Sequence, residues 1–167
     1  MNSRAGRTRV VATLGTAQTL AWASSYYLPA VLAAPMAAEL GLSESSVFAL
    51  FSLALLVSAA VGPSAGAAID RHGGRPVLMG TNVLFAAGLV ALGLAQGVWG
   101  LAAAWLILGV AMGSGLYEAA FASLVRLYGR DSRNVITGIT LIAGFASTVG
   151  WPLSALMDNH WGWRGAC

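Results

Sequence analysis

The sequence predicts an all-α membrane protein with five transmembrane helices. Three observations support this fold class. Hydrophobic residues make up 57% of the 167 residues, charged residues make up only 9%, and the mean hydropathy is +0.74. A soluble domain carries about 25% charged residues, so this chain has too few to cover a water-exposed surface.

The positions of the charges define the predicted spans. Four long segments contain no Asp, Glu, Lys or Arg, namely residues 10–38, 45–69, 76–117 and 134–157. A transmembrane helix needs about 20 mainly apolar residues. The third segment has room for two helices, and Gln96-Gly97-Val98-Trp99-Gly100 supplies a break in its middle. The predicted spans are therefore residues 10–33, 46–69, 77–96, 99–125 and 134–157, joined by short loops that favour a single bundle.

The arginines predict how the chain is oriented. All nine basic residues are arginines, and eight of them fall on one side of the predicted membrane: Arg4, Arg7, Arg9, Arg71, Arg75, Arg126, Arg130 and Arg133. Only Arg164 falls on the other side. Because basic loops stay in the cytoplasm, we expect a multi-pass protein of a bacterial-type inner membrane with a cytoplasmic N-terminus. The net charge of +3 is then explained by the arginines on the cytoplasmic side and does not indicate a nucleic-acid partner.

Other classes of protein fit the sequence less well. Arginines followed by an apolar run and Ala21-Trp22-Ala23 are similar to a cleavable signal peptide, but the apolar run continues through Leu32. Cys167 is the only cysteine, so neither a disulfide framework nor a cysteine metal cluster can form. The sequence has no phosphate-binding loop. We therefore expect no bound cofactor, and any coupling would be to an ion gradient such as protons.

The turn between spans two and three carries the most specific motif. It resembles the signature loop of the major facilitator superfamily, which reads roughly Gly-x-x-x-Asp-Arg/Lys-x-Gly-Arg-Arg/Lys. The matching residues are Gly66, Asp70, Arg71, Gly73 and Arg75. Gly74 replaces the first arginine of the closing pair. Two other stretches resemble the family more loosely: residues 109–115 its glycine-rich fourth helix, and residues 162–164 the segment before its sixth helix.

The resemblance implies a secondary transporter that moves a small solute by alternating access. Family members have about twelve helices in two halves. Residues 1–167 would then be a single transmembrane bundle, most of an N-terminal half, truncated before helix six and lacking its C-terminal partner half. Span five and residues 162–164 faintly resemble carriers of organic anions.

In this family the signature loop acts as a conformational latch against the second half of the protein. Asp70 lies at the end of span two, where the helix dipole disfavours an anion, which indicates a partner elsewhere. The alternative is a solvated ion pair with Arg71 or Arg75, which would contribute little.

Glu118 is the ionisable residue that lies well inside a predicted span. An intramembrane carboxylate is costly and by default marks a substrate or proton path. We therefore expect Glu118 to line such a path, and burial without a cation would favour its protonated form. The alternative is a structural, protonated glutamate that forms hydrogen bonds within the bundle.

Gln18, Trp22 and Tyr26 recur every four residues in span one, with Ser25 close by. This spacing places them on one stripe of a helix. Polar groups that faced lipid would be unsatisfied, so the stripe should face protein or a water-filled cavity and could bind an organic solute. The alternative is packing between helices, with Tyr26 in an interfacial aromatic belt.

Two further functions stay open at this point. The chain could be a multi-pass membrane protein that does not transport but acts as an assembly or interaction subunit. A membrane-embedded enzyme is the less favoured alternative, because one isolated glutamate supplies neither an acid–base pair nor a nucleophile or metal set.

Overall fold

The computed structural model describes residues 4–167, with side chains from Gly6 onward. Every regular element in this range is helical. A 3₁₀ turn, Gly129–Asp131, lies between the sixth and seventh of the α-helices. The α-helices are α1 (Arg4–Ser24), α2 (Pro29–Leu40), α3 (Glu44–His72), α4 (Gly74–Gly93), α5 (Gly97–Gly115), α6 (Tyr117–Tyr128), α7 (Ser132–Ala143) and α8 (Ala146–Ala166).

Three helical stretches of the described chain are long and apolar enough to cross a membrane: Glu44–His72, Gly74–Gly93 and Gly97–Ala166. The third contains 70 residues and comprises α5 to α8. The predicted all-α membrane fold is therefore confirmed. The first predicted span covers parts of α1 and α2, neither of which is among the three. The number of five spans stays a prediction.

Helix breaks interrupt three of the predicted spans. In the first, residues 25–28 separate α1 from α2. Pro29 has no amide hydrogen to donate to the Ser25 carbonyl, so the α1 hydrogen-bond ladder cannot continue through it. In the fourth span Leu116 is extended (φ −80°, ψ −161°) between α5 and α6. In the fifth, residues 144 and 145 separate α7 from α8.

Helix α5 lies at the centre of the bundle. Both α3 and α4 pack along it, while α1 packs against α7 and α8. Trp105, Leu108 and Met112 of α5 are almost completely buried. Close packing needs the glycines of α5, because a Cβ atom at Gly113 would lie 2.4 Å from the Ser58 carbonyl oxygen of α3. Small residues allow this approach in membrane helices.

From Arg7 onward, the arginines that were assigned to one side in the sequence gather at one end of the bundle. The start of α1 meets the α6–α7 connection there, since Arg7 Nη2 lies 2.7 Å from Asp131 Oδ2. The end of α3, the start of α4 and the end of α6 are at the same end, where His72, Arg75 and Arg126 line one groove. We call this the arginine-rich end, and we call the end that carries Glu39 and Arg164 the opposite end.

Candidate functional site

Gln18 connects α1 to the break between α5 and α6. Its side chain is buried, with 2% of the residue exposed, and Nε2 donates a hydrogen bond of 2.7 Å to the Gly115 carbonyl oxygen. The extended backbone at Leu116 interrupts the helical ladder at this point. A buried carbonyl at such a break requires an outside donor, and Gln18 supplies it.

An aromatic cluster is formed by residues that follow Gln18 and Gly115 along the chain together with one residue of α3: Trp22, Tyr26, Tyr27, Tyr117 and Phe51. The Trp22 ring centroid lies 4.9 Å from that of Tyr117 and 5.1 Å from that of Tyr26. Tyr26 continues the cluster to Phe51 on α3, at 5.6 Å. Rings at these separations attract one another, so the cluster links α1, α3 and α6.

Two buried polar atoms in this region have no hydrogen-bond partner among the described residues. They are Gln18 Oε1, an acceptor, and Trp22 Nε1, a donor. Buried polar atoms are nearly always satisfied in folded proteins. An acceptor and a donor left unused beside aromatic faces could therefore bind a polar organic molecule.

The predicted stripe on α1 divides in the structure. Gln18 and Trp22 lie together at the break in span four, while Tyr26 is 40% exposed. Ser25 is completely buried, and its Oγ donates to the Ala21 carbonyl of the preceding turn. Sequence reasoning missed Tyr117. A signal was available, because Tyr117 and Phe121 are four residues apart on one helix face and their rings stack at 5.1 Å.

Glu118 lies in the first turn of α6 and is exposed on the surface of the bundle. The burial expected for it from the sequence is therefore not present in the described bundle. An anion in the first turn of a helix is stabilised by the helix dipole. Neither of the two ion pairs among residues 6–167 includes Glu118.

The signature loop forms a tight connection between α3 and α4. Asp70 and Arg71 are exposed in the last turn of α3, and Arg75 is exposed in the first turn of α4. Gly73 joins the helices with φ +89°, a conformation that glycine adopts readily. Gly66 lies within α3, with open space where its Cβ would be.

The Asp70 carboxylate is not part of either ion pair in the described chain. The alternative of an ion pair with Arg71 or Arg75 is therefore not what this structure shows. The backbone carbonyl of Asp70 accepts a hydrogen bond instead. Arg126 Nη1 of α6 donates to the Ile69 carbonyl oxygen at 2.5 Å and also to the Asp70 carbonyl oxygen. A cation at a helix C-terminus is favourable, so Arg126 caps α3 and fixes it to α6.

Gly74, where the sequence departs from the signature, is buried against α6. A Cβ atom at this position would lie 1.8 Å from Ser123 Oγ, 2.2 Å from its Cβ and 3.0 Å from its Cα. An arginine at position 74 would therefore clash with Ser123 in this arrangement. The glycine allows the start of α4 to pack directly on α6.

A polar clasp closes the opposite end of the bundle. Glu39, at the end of α2, accepts a hydrogen bond of 2.7 Å from Arg164 Nε and one of 2.6 Å from Trp163 Nε1. Arg164 Nη1 also donates to the Gly93 and Ala95 carbonyls at the end of α4, both at 2.8 Å. The hydrogen bond from Arg164, followed by that from Trp163, lowers the pKa of Glu39. Trp163 and Arg164 thus tie α8 to α2 and α4.

The family assignment suggested by the signature loop is confirmed by comparison with known protein families. The family description "Major Facilitator Superfamily" matches residues 14–167. No solved structure matches the chain significantly. The match extends over α1 to α8, and so includes the aromatic cluster, the signature loop and the clasp. The chain therefore belongs to the Major Facilitator Superfamily, a family of secondary transporters that work within the membrane.

Proposed function

We propose that this protein moves a small organic solute across the cell membrane by alternating access and that the solute passes along the aromatic cluster. The observation that carries this proposal is the pair of unused polar atoms, Gln18 Oε1 and Trp22 Nε1, buried beside aromatic rings. Family membership supports transport in general. The aromatic cluster supports the proposed position of the solute path.

The chemistry of the cluster favours a solute with a planar or apolar face. Such a face would stack on Trp22 and Tyr117. A donor group of the solute would satisfy Gln18 Oε1, and an acceptor group would satisfy Trp22 Nε1. The five cluster side chains and Gln18 include no cation, so their charge does not favour the organic anions suggested by the sequence.

In this proposal the arginine-rich end faces the cytoplasm and the chain supplies the N-terminal half of the carrier. The signature loop is then a latch that Asp70 closes on the other half. The carboxylate is exposed, and neither ion pair of residues 6–167 uses it, which leaves it available for that contact.

Glu118 is proposed as a proton-linked group of the path. It sits next to Tyr117 of the cluster and is exposed on the surface of this bundle. There it could meet a partner on another part of a complete carrier. If uptake by Glu118→Gln keeps the pH dependence of the wild type, this role is excluded.

Solute uptake into membrane vesicles tests the proposed path. The vesicles would come from cells that express the complete reading frame containing this sequence, and the probes would be radiolabelled organic acids, amines and neutral solutes. We expect accumulation of at least one class by the wild type and a loss of ten-fold or more in Trp22→Ala. Trp99→Ala is the matched control, because Trp99 is 84% exposed at the start of α5.

The possible outcomes test the position of the path and the transport activity separately. Uptake by Trp22→Ala at the rate of Trp99→Ala would exclude the cluster as the path. A properly inserted wild type that accumulates no solute of any class would argue against transport itself.

A further inference from the structure

A groove opens at the arginine-rich end between α1, α4 and the end of α6. Its volume is about 740 Å³, within the range of roughly 300–1,000 Å³ that is typical of ligand sites. The groove is separate from the aromatic cluster, because none of the cluster residues line it. The proposed transport path therefore does not account for it.

The groove changes character along its length. On α1, Arg9 is followed by Val10, Leu14 and Ala17; on α4, Arg75 is followed by Leu78 and Met79. At 1.5 Å per residue, Arg9 and Ala17 are separated by about 12 Å along the helix axis. One end of the groove is thus cationic, and the wall that leads away from it is mostly apolar, with Thr13 and Asn82 as polar members of that wall.

The charge at the cationic end has one sign. Arg9, Arg75 and Arg126 line the groove together with His72, and none of the lining residues is acidic. Arg126 is already bound to carbonyl oxygens of α3. Arg9 and Arg75 are exposed, and neither takes part in an ion pair or side-chain hydrogen bond of residues 6–167. Two guanidinium groups are therefore available to an anion at the mouth of the groove.

We propose that this groove binds an anionic phospholipid, with the phosphate between Arg9 and Arg75 and an acyl chain along the apolar wall. Basic pockets between transmembrane helices recognise anionic headgroups. Guanidinium groups match phosphate oxygens in pairs. The groove lies at the end of the bundle where the basic residues gather, the level expected for lipid headgroups.

Native mass spectrometry of the purified protein in detergent tests this site. Phosphatidylglycerol and phosphatidylcholine would be added at equal concentrations. Each basic residue near an anionic membrane surface strengthens binding several-fold, so two of them predict a preference for phosphatidylglycerol of ten-fold or more. The Arg9→Gln/Arg75→Gln variant should lose this preference, and Arg9→Lys/Arg75→Lys should keep most of it.

The matched control is Arg71→Gln/Arg130→Gln. It removes two exposed arginines from the same end of the bundle, and neither of them lines the groove. This control should bind phosphatidylglycerol like the wild type. Soluble glycerol phosphate in excess should not displace the lipid, because it cannot occupy the apolar wall.

Three results would overturn the proposal: equal binding of the two lipids, equal loss in both double glutamine variants, or displacement by glycerol phosphate. Because the readout is lipid binding, the result does not depend on the proposed transport activity.

Discussion

Gly74 and Ser123 approach so closely that no side chain fits between them. A Cβ atom on Gly74 would lie 2.2 Å from the Cβ of Ser123 and 3.0 Å from its backbone Cα. We infer that this contact explains the departure of position 74 from the signature of the family. The glycine at this position allows α4 and α6 to meet at the arginine-rich end.

The Gly74→Ala variant should therefore be less stable than the wild type. Overpacking of this kind costs about 1–3 kcal/mol, which would appear as a lower midpoint of thermal unfolding in detergent. Addition of Ser123→Gly should restore most of the loss, since it removes the two nearest atoms. Gly62→Ala is the control, because its Cβ would meet open space. Equal stability of Gly74→Ala and Gly62→Ala would show that α4 and α6 do not pack as described.

Replacement of Arg126 should loosen the connection between α3 and α6. Its guanidinium donates to the carbonyls of Ile69 and Asp70, and Arg126→Gln removes the charge that favours this cap. We expect a loss of about 1 kcal/mol, because the group is partly exposed and charged hydrogen bonds are weakened by solvent. Arg130→Gln, an exposed neighbour, should have no effect.

Hydrogen exchange at the last turn of α3 measures the same contact locally. The amides of this turn should exchange faster in Arg126→Gln and at the wild-type rate in Arg130→Gln. Identical exchange in the two variants would be incompatible with the cap.

The clasp at the opposite end should open in acid. Hydrogen bonds from Arg164 and Trp163 lower the pKa of Glu39 below its ordinary value of 4.5. A lowered pKa in the folded state means that the carboxylate stabilises the fold fully above pH 4.5, and that this contribution is lost as the pH falls through the folded pKa. The wild type should therefore lose thermal stability relative to Glu39→Gln below pH 4.5.

The comparison requires unfolding midpoints of both proteins from neutral pH into the acid range. The difference between them should be constant near neutral pH and shrink in acid. Curves that run parallel over the whole range would show that Glu39 is not held by the clasp. Glu44→Gln, on the same end of the bundle, should follow the wild type.

Asp70→Asn tests the latch separately from folding. The structure engages the Asp70 backbone but not its carboxylate, so the substitution should leave abundance and thermal stability unchanged. Transport by the complete carrier should fall by ten-fold or more, because the contact with the other half is lost. A parallel loss of abundance and transport would assign Asp70 a structural role instead.

Much of the fold could be predicted because a helix that crosses a lipid bilayer must be long and mainly apolar. Long apolar segments between charged turns predicted helices, and the loop with Asp70 and Gly73 pointed to the correct family. The break at Leu116 was less visible, since Leu has no intrinsic preference for an extended conformation in an apolar run. It arises where Gly113 packs against α3 and Gln18 contacts Gly115, and these are tertiary contacts.

The candidate site was predicted only in part. A four-residue period placed Gln18 and Trp22 on one face of α1, but periodicity within one helix says nothing about the helix it meets. Tyr117 was therefore missed, as was the contact of Arg126 with α3, which joins residues 57 positions apart. The roles of Trp163 and Arg164 in the clasp likewise depend on Glu39, more than 120 positions earlier.

The placement of the arginine-rich end in the cytoplasm is the claim on which the latch and the direction of the bundle depend. It can be measured with single cysteines in a Cys167→Ser background, labelled with a maleimide that does not cross membranes. His72→Cys should react only after the cells are permeabilised, and Glu44→Cys, at the other end of α3, should react in intact cells. Labelling of His72→Cys in intact cells at the rate of Glu44→Cys would contradict the account.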